Sequence, residues 1–310
     1  MLKRLILTNL TIIFFFYTTN CFSIENKILV KIEEDIITSI DVENESKYLL
    51  LLNRNIKNLK KEEIFNISKR SIIREKIQNI ELFKTFKTLK VPEDYLNQIL
   101  KNVYQEIGIN DLDNFKKYLK DNGVDYNHVK KKIETEALWN KLIMAKFGSK
   151  IIINENEIRK KLKDSNNIFS RSFLVSEIFF ETTNTDKVQI LYNNIKKTIE
   201  EEGFNKAALT HSSSNTSSSG GKLGWIEEDT LNQNLKKIFD KMNEGEYTNP
   251  ITVPGGFMIL KIDKIKKIKK NQDIEKEVKK IIRTKKNNQL NQFSKMHFNK
   301  IKKDIQINEF

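Results

Sequence analysis

The chain has 310 residues, of which 38% are hydrophobic and 31% are charged, and its formal net charge is +14. This length suffices for two domains of ordinary size, and three prolines leave room for long helices, so the composition predicts a soluble, mostly helical protein. Nucleic-acid binding is not favoured, because the lysines are spread along predicted helices rather than interleaved with aromatic residues in one stripe. The densest basic run, Lys264 to Lys270, could face solvent or lipid headgroups equally well.

Residues 1–23 have the order of a secretory signal. Lys3 and Arg4 precede an apolar run from Leu5 to Tyr17, and the small residues Cys21 and Ser23 precede the expected cleavage site. The apolar run is shorter than the roughly 20 residues of a membrane span. We therefore predict a cleaved signal peptide, a periplasmic location and no stable membrane anchor after cleavage. An uncleaved anchor is the alternative.

Cleavage there removes Cys21, the only cysteine of the chain. The mature protein then has no disulfide, no thiol nucleophile and no cysteine-based metal site. The three histidines, His128, His211 and His297, are scattered without the spacing of metal ligands. We therefore expect no metal and no cofactor.

The segment after the signal predicts a short hairpin followed by a helix. Two β-prone runs, residues 28–32 and 36–38, flank an acidic turn. Ser39 or Asp41 is then expected to cap a helix that extends to about Leu52.

Residues 60–148 predict four helices. In the first of them, Ile73, Ile77, Ile80 and Phe83 recur every three or four residues, and the other three carry similar apolar stripes. Because these stripes need one another to be buried, the four helices are expected to form one domain.

The character of the sequence changes near Ser170, where a compact α+β domain is expected to begin. The elements expected, in order, are a linker helix over 154–162, a strand over 173–180, a helix over 186–202, a serine-rich loop over 212–219, a short helix with Leu235 and Phe239, and strands over 251–253 and 257–262.

The last segment, residues 273–301, is predicted to be helical, with Ile274, Val278, Ile281 and Ile282 on one face. A lone helix is marginal in water, since tertiary packing supplies most helix stability. We therefore predict that this helix folds back onto the N-terminal helical domain.

Residues 173–262 carry a set of motifs that resembles the parvulins, the smallest class of peptidyl-prolyl isomerase. The run Gly220-Gly221-Lys222-Leu223-Gly224-Trp225 is followed by the strand Gly256-Phe257-Met258-Ile259-Leu260. A lone glycine pair would be uninformative, but this combination is specific. Further matching positions are Phe204, Ala207, Ala208, Leu209, Ser212, Phe239, Gly245, Glu246 and Pro250.

The wider arrangement resembles the SurA family of periplasmic chaperones, although many members have two parvulin domains and this chain has room for one. The resemblance implies an α+β fold class: a mainly helical N-terminal chaperone domain completed by a C-terminal helix, plus one parvulin-like domain with a small antiparallel sheet. The segments expected are a signal peptide over 1–23, the helical N-terminal domain over 24–150, a linker helix over 151–170, the parvulin-like domain over 171–265 and the C-terminal helix over 266–310.

Active parvulins place a histidine pair, a Cys or Asp, and a Ser or Thr beside an apolar shelf that holds the proline. Carried over to this chain, the first histidine falls on Glu177, the Cys or Asp on Ser214, the Ser or Thr on Val253 and the second histidine on Met258. All four positions depart from the active pattern. We expect Glu177 to be a charged residue at the surface of a strand.

The proline shelf is better preserved. It would consist of Leu235 and Phe239, four residues apart on one helix face, with Phe257 nearby. These residues either bind an apolar or prolyl side chain of a substrate or belong to the core of the domain.

The resemblance implies a chaperone for unfolded exported polypeptides, in particular the precursors of outer-membrane β-barrel proteins, with weak or absent isomerase activity. We expect clients to bind in a groove between the helical domain and the C-terminal helix. An active parvulin-type isomerase is the alternative, and a basic nucleic-acid-binding protein is a third, less favoured class.

Overall fold

The computed structural model describes residues 26–53, 56–86, 90–164, 169–182, 185–269 and 273–310. The predicted signal peptide, residues 1–23, lies outside them. The described chain combines many helices with small antiparallel sheets, which confirms the predicted α+β class. Within these same ranges, no helix is long and apolar enough to cross a membrane.

The described chain opens with the predicted hairpin. Strands β1 (Ile28–Ile32) and β2 (Asp35–Thr38) pair in antiparallel fashion. The other edge of β1 pairs with a strand near the C-terminus, Ile307–Glu309, which the sequence did not predict. The three-stranded sheet therefore joins the two ends of the described chain.

The first helix, α1 (Ser39–Leu52), has Thr38 as its N-cap, not Ser39 or Asp41 as predicted. The Thr38 hydroxyl accepts a hydrogen bond from the Asp41 N–H at 3.3 Å, and the Asp41 carboxylate accepts one from the Thr38 N–H at 2.8 Å. This reciprocal arrangement is a capping box, in which the acidic residue acts from inside the first turn.

Four more helices complete what we call the helical body, α1 to α5. They are α2 (Lys61–Thr85), α3 (Glu93–Glu106), α4 (Leu112–Asp121) and α5 (Tyr126–Phe147). The predicted stripe of α2 is buried at Ile77, but Phe83 is 69% exposed. Two successive steps of three residues rotate Phe83 about 120° around the helix from Ile77, which takes it off the buried face.

The α+β domain begins after the linker helix α6 (Glu155–Asp164). Its strands are β3 (Phe169–Phe180), β4 (Lys222–Glu227), β5 (Ile251–Val253) and β6 (Gly256–Lys269). They form one antiparallel sheet with the order β4-β3-β6-β5. The helices of the domain are α7 (Thr185–Glu202), α8 (Phe204–His211) and α9 (Gln233–Phe239).

The two faces of this sheet carry separate cores. Alternate residues of a strand point to opposite faces. On one face, Ile178 and Phe180 of β3 pack with α7 and α8. On the other, Phe173 and Val175 pack with Phe239 of α9. Continuing the second series along β3 places residues 177 and 179 on the α9 face.

The C-terminal helix α10 (Ile274–Lys303) contacts two parts of the molecule. In its first half, Val278 and Ile281 pack against Ile158 of α6, so the predicted apolar face lies on the linker helix rather than on the helical body. In its second half, Phe293 stacks on Phe147 of α5 with ring centroids 5.0 Å apart. The chain then enters the C-terminal strand described above, β7 (Ile307–Glu309).

A cluster of charged side chains in the α+β domain predicts that the protein becomes less stable at acidic pH. Arg171 donates hydrogen bonds to both carboxylate oxygens of Glu228, at 2.9 and 3.0 Å, and Lys236 lies 2.8 Å from the same carboxylate. These partners, Arg171 first, lower the pKa of Glu228 to about 2.

A folded-state pKa below the unfolded one stabilises the protein above the unfolded pKa of 4.5, and the contribution disappears as the pH falls towards about 2. We expect about 1–2 kcal/mol of stability to be lost over that window, after discounting for solvent around the pair. Urea unfolding at stepped pH measures it. In Glu228→Gln, less stability should be lost over the same pH range. If the pH dependence of the unfolding free energy is the same in this variant as in wild type, Glu228 is not the group responsible.

Candidate functional site

The centre of the α9 face of the sheet is occupied by a buried carboxylate. Glu177 is only 2% exposed, and its N–H donates to the carbonyl of Gly221 at 2.7 Å. Gly221 has a φ of +79°, and a Cβ there would lie 2.1 Å from the Glu177 carbonyl oxygen, so only glycine allows this approach. The glycine pair of the motif thus holds the serine-rich loop against the strand that carries Glu177.

The serine-rich loop supplies two hydroxyl donors to that carboxylate. Ser214, 1% exposed, and Thr216 both hydrogen-bond Oε1 of Glu177, the latter at 2.9 Å. Ser212 fixes the start of the loop, because its hydroxyl accepts the backbone N–H of Phe179 at 3.0 Å. The loop is therefore built around the carboxylate.

A lysine from α10 completes the site. The Lys295 Nζ lies 2.9 Å from both Oε1 and Oε2 of Glu177 and 5.2 Å from the ring centroid of Phe179. The side chains of Lys295 and Glu177 are 19% and 3% exposed. The prediction that Glu177 is a charged residue at a strand surface is therefore wrong, because α10 and the loop cover this face of the strand.

The helical body covers the rim of the same site. Arg74 of α2 donates to the Ser213 carbonyl and to the Asn215 side chain, both in the serine-rich loop. One turn earlier, Arg70 donates to the carbonyl of Thr210 at 2.7 Å. These contacts place the loop between the sheet and α2.

Helix α10 also covers the turn that precedes β6. The Asn299 side chain of α10 donates to the Gly255 carbonyl at 3.4 Å, and the Cα of Met296 would lie 3.7 Å from a Cβ at Gly255. This turn joins β5 to β6, so the strand end next to the site also faces the C-terminal helix.

The structure brings together two of the four predicted catalytic positions, Glu177 and Ser214. Met258 pairs with Phe179 across the sheet, and Val253 pairs with Gly256 at the edge. Neither the thioether of Met258 nor the isopropyl group of Val253 can donate a hydrogen bond. The polar network therefore consists of the carboxylate, the loop hydroxyls and Lys295.

The predicted shelf is divided between the two faces of the sheet. Phe239 is 1% exposed and meets Phe173 edge-to-face at 5.2 Å, with Leu235 half-buried beside it. Phe257 was expected in the same group, but it stacks on Phe180 at 5.7 Å on the opposite face. Phe257 precedes Met258 on β6, and neighbouring residues of a strand point to opposite faces.

His211 is the last residue of α8 and precedes the serine-rich loop. Its Nε2 lies 2.8 Å from the Thr198 hydroxyl. Burial, and to a smaller extent the Arg70 guanidinium, lower the pKa of His211, so it is neutral at pH 7. Among the described residues, the His, Asp, Glu and Cys side chains form no group of three or more that could hold a metal ion.

Sequence reasoning missed three residues that shape the site: Lys295, Thr216 and Arg74. Lys295 stands in a helix rich in exposed lysines, and Thr216 stands in a run of serines. Their roles depend on contacts between segments far apart in the chain, which no local pattern records.

Comparison with known families decides what this domain is. Residues 178–264 match the family model described as rotamase, the PPIC-type PPIASE domain. The domain is a parvulin. The departure of Glu177, Ser214, Val253 and Met258 from the active parvulin pattern stays a prediction from the sequence.

Curated proteins to which this chain is similar include SurA chaperones. The Chaperone SurA of Pseudomonas putida is 24% identical over 184 residues, which cover 56% of this chain and 43% of that protein. The Chaperone SurA of Pseudomonas syringae pv. tomato is 25% identical over 186 residues, covering 56% and 42%. The match spans less than half the length of these relatives.

Similarity to a solved structure covers most of the chain. A structure from a study of two SurA-like chaperones of Campylobacter jejuni is 15% identical, covers 92% of this chain and 99% of that one, and has a TM-score of 0.36.

Proposed function

We propose that this protein is a periplasmic chaperone for unfolded exported polypeptides, including precursors of outer-membrane β-barrel proteins. Its parvulin domain has weak or no proline isomerase activity. The chaperone role is supported by the similarity to SurA proteins and the isomerase deficit by one observation, the Glu177–Lys295 ion pair at the centre of the parvulin site.

The chemistry of isomerisation explains why that pair matters. The barrier of about 18–20 kcal/mol comes from the partial double bond of the amide. A catalyst must hold the proline in a dry pocket and stabilise the twisted amide more than the planar one. Here the carboxylate, both hydroxyls and the ammonium bind one another, so their hydrogen-bonding capacity is used within the protein.

Client binding uses a surface other than the groove that the sequence predicts. The space between α5 and the second half of α10 is filled, because Phe147 stacks on Phe293 and Trp139 stacks on His297 at 5.7 Å. Large apolar side chains are exposed elsewhere on the described surface. Phe83 is 69% exposed, Tyr95 51% and Ile152 83%. Such side chains can contact extended, aromatic-rich segments weakly and reversibly.

An aggregation assay tests the chaperone role. An unfolded outer-membrane β-barrel protein is diluted from urea with near-stoichiometric amounts of the intact chain, and light scattering is followed. We expect delayed aggregation, and a smaller delay with Phe83→Ser. A basic protein of similar size controls for the net charge of +14. No delay, together with no binding to aromatic-rich peptides, contradicts the proposal.

The periplasmic location has its own test. The full chain and a variant without residues 1–23 are expressed in a Gram-negative host and fractionated. We expect the full chain in the periplasmic fraction and the shortened chain in the cytoplasm. Cytoplasmic retention of both would support the nucleic-acid-binding alternative if salt-sensitive DNA binding accompanied it.

A further inference from the structure

The groups around Glu177 form a complete recognition set for an alkylammonium ion. Two carboxylate oxygens lie 2.9 Å from the Lys295 Nζ, and the Phe179 ring faces it at 5.2 Å. Ser214 and Thr216 hydrogen-bond the carboxylate and hold its orientation. A carboxylate with an aromatic face beside it is the set that proteins use to bind a primary ammonium.

All the receptor groups belong to the parvulin domain, whereas the cation comes from outside it. Glu177 and Lys295 are 118 positions apart in the chain, and Lys295 lies on α10, beyond the end of the domain. Receptor and ligand are therefore separable parts of the molecule.

In the neighbouring contacts, too, the cationic side chain lies outside the parvulin domain and the acceptor lies within it. Arg74 and Arg70 of the helical body donate to acceptors of the serine-rich loop and of α8, as Lys295 of α10 donates to Glu177. Among the described residues, Lys206 of α8 and Glu63 of α2 pair in the opposite direction. The cations of one side thus meet the acceptor groups of the parvulin face.

From these contacts we propose that the parvulin domain has a lysine-ammonium-binding site at the position of the isomerase centre. Lys295 of the chain's own C-terminal helix occupies this site and holds the domain closed against the helical body. The proposal concerns the domain's internal ligand and does not depend on which clients the protein binds.

Hydrogen–deuterium exchange on the full chain tests the closure. Lys295→Ala removes the ammonium, and Lys286→Ala, an exposed lysine of the same helix, is the matched control. We expect exchange in residues 212–221 to be at least about tenfold faster in Lys295→Ala than in wild type, the effect of losing a charge-assisted hydrogen bond. The control variant and residues 129–143 of α5 should exchange as in wild type.

Chemical rescue tests the ligand class. The alanine variant lacks three methylenes and the ammonium, so n-propylammonium chloride fits the vacated space. We expect it to restore protection of residues 212–221 in Lys295→Ala, and tetramethylammonium chloride at equal ionic strength to have no effect, because it cannot donate hydrogen bonds. In Glu177→Gln/Lys295→Ala, neither salt should restore protection.

Two results would overturn the proposal. The first is that residues 212–221 exchange at the same rate in Lys295→Ala as in Lys286→Ala. The second is that the two salts have the same effect on the exchange of Lys295→Ala, whether both restore protection or neither does. If Lys295→Ala loses helical signal in circular dichroism, Lys295→Met, which keeps the aliphatic stem, replaces it in the exchange comparison. The same tenfold difference in exchange is then expected, and its absence would also overturn the proposal.

Discussion

Replacing Trp139 with alanine is expected to lower the free energy of unfolding by about 3–5 kcal/mol, the usual cost of truncating a large buried aromatic side chain. Trp139 of α5 is 1% exposed and joins α5 to α10 in three ways. Its indole N–H donates to the Ser294 hydroxyl at 2.8 Å, its ring stacks on His297 at 5.7 Å, and it meets Phe298 edge-on at 6.3 Å.

Two milder variants separate the contributions of packing and hydrogen bonding. Trp139→Phe keeps an aromatic ring, and Ser294→Ala leaves the indole N–H without its acceptor, which costs about 1–3 kcal/mol. Urea unfolding followed by far-ultraviolet circular dichroism measures all three variants. A loss below 1 kcal/mol in Trp139→Ala would show that α10 does not depend on this contact.

Phe239→Ala is expected to destabilise the parvulin domain by about 3–5 kcal/mol. Phe239 is 1% exposed and packs on Phe173 and Leu260 beneath the sheet. Of the two readings that the sequence left open, a core residue or a proline shelf, burial in this closed state favours the core. The matched control is Leu235→Ala on the same helix, which is half-buried and should cost about 1 kcal/mol.

Unfolding of this domain can be followed by the fluorescence of Trp225, which is 43% exposed on β4, when all variants also carry Trp139→Phe, because Trp139 is the second tryptophan of the chain. Near-equal effects of the two alanine variants would contradict the core assignment. A Phe239→Ala variant that kept full stability but lost binding to prolyl peptides would instead restore the shelf interpretation.

The sequence predicts local structure well where periodicity or a motif is strong. The apolar stripes of α2 to α5 and the run at Gly220-Gly221 identify helices and the parvulin sheet, because both signals depend on neighbouring residues. The capping box at Thr38 shows the limit, since Thr38, Ser39 and Asp41 are all residue types that suit a helix start.

Contacts between distant segments are what the sequence does not predict. Strand β7 pairs with β1, the apolar face of α10 packs on α6, and Lys295 reaches Glu177. In each case the residue type does not identify the segment that it contacts. The outcome depends on the partner that the fold brings to it, as with Phe257, whose face follows from the register of β6.

A measurement of prolyl peptide isomerisation tests most directly whether the parvulin domain lacks its catalysis. Exchange between the cis and trans forms of a prolyl peptide is followed by nuclear magnetic resonance with the intact chain, and again with Lys295→Ala, in which the closed face is released. We expect at most a slight acceleration by the intact chain and no larger one by Lys295→Ala, because Val253 and Met258 still cannot donate a hydrogen bond to the twisted amide. A clear acceleration by either protein that falls on Phe239→Leu would contradict this expectation and identify an active isomerase.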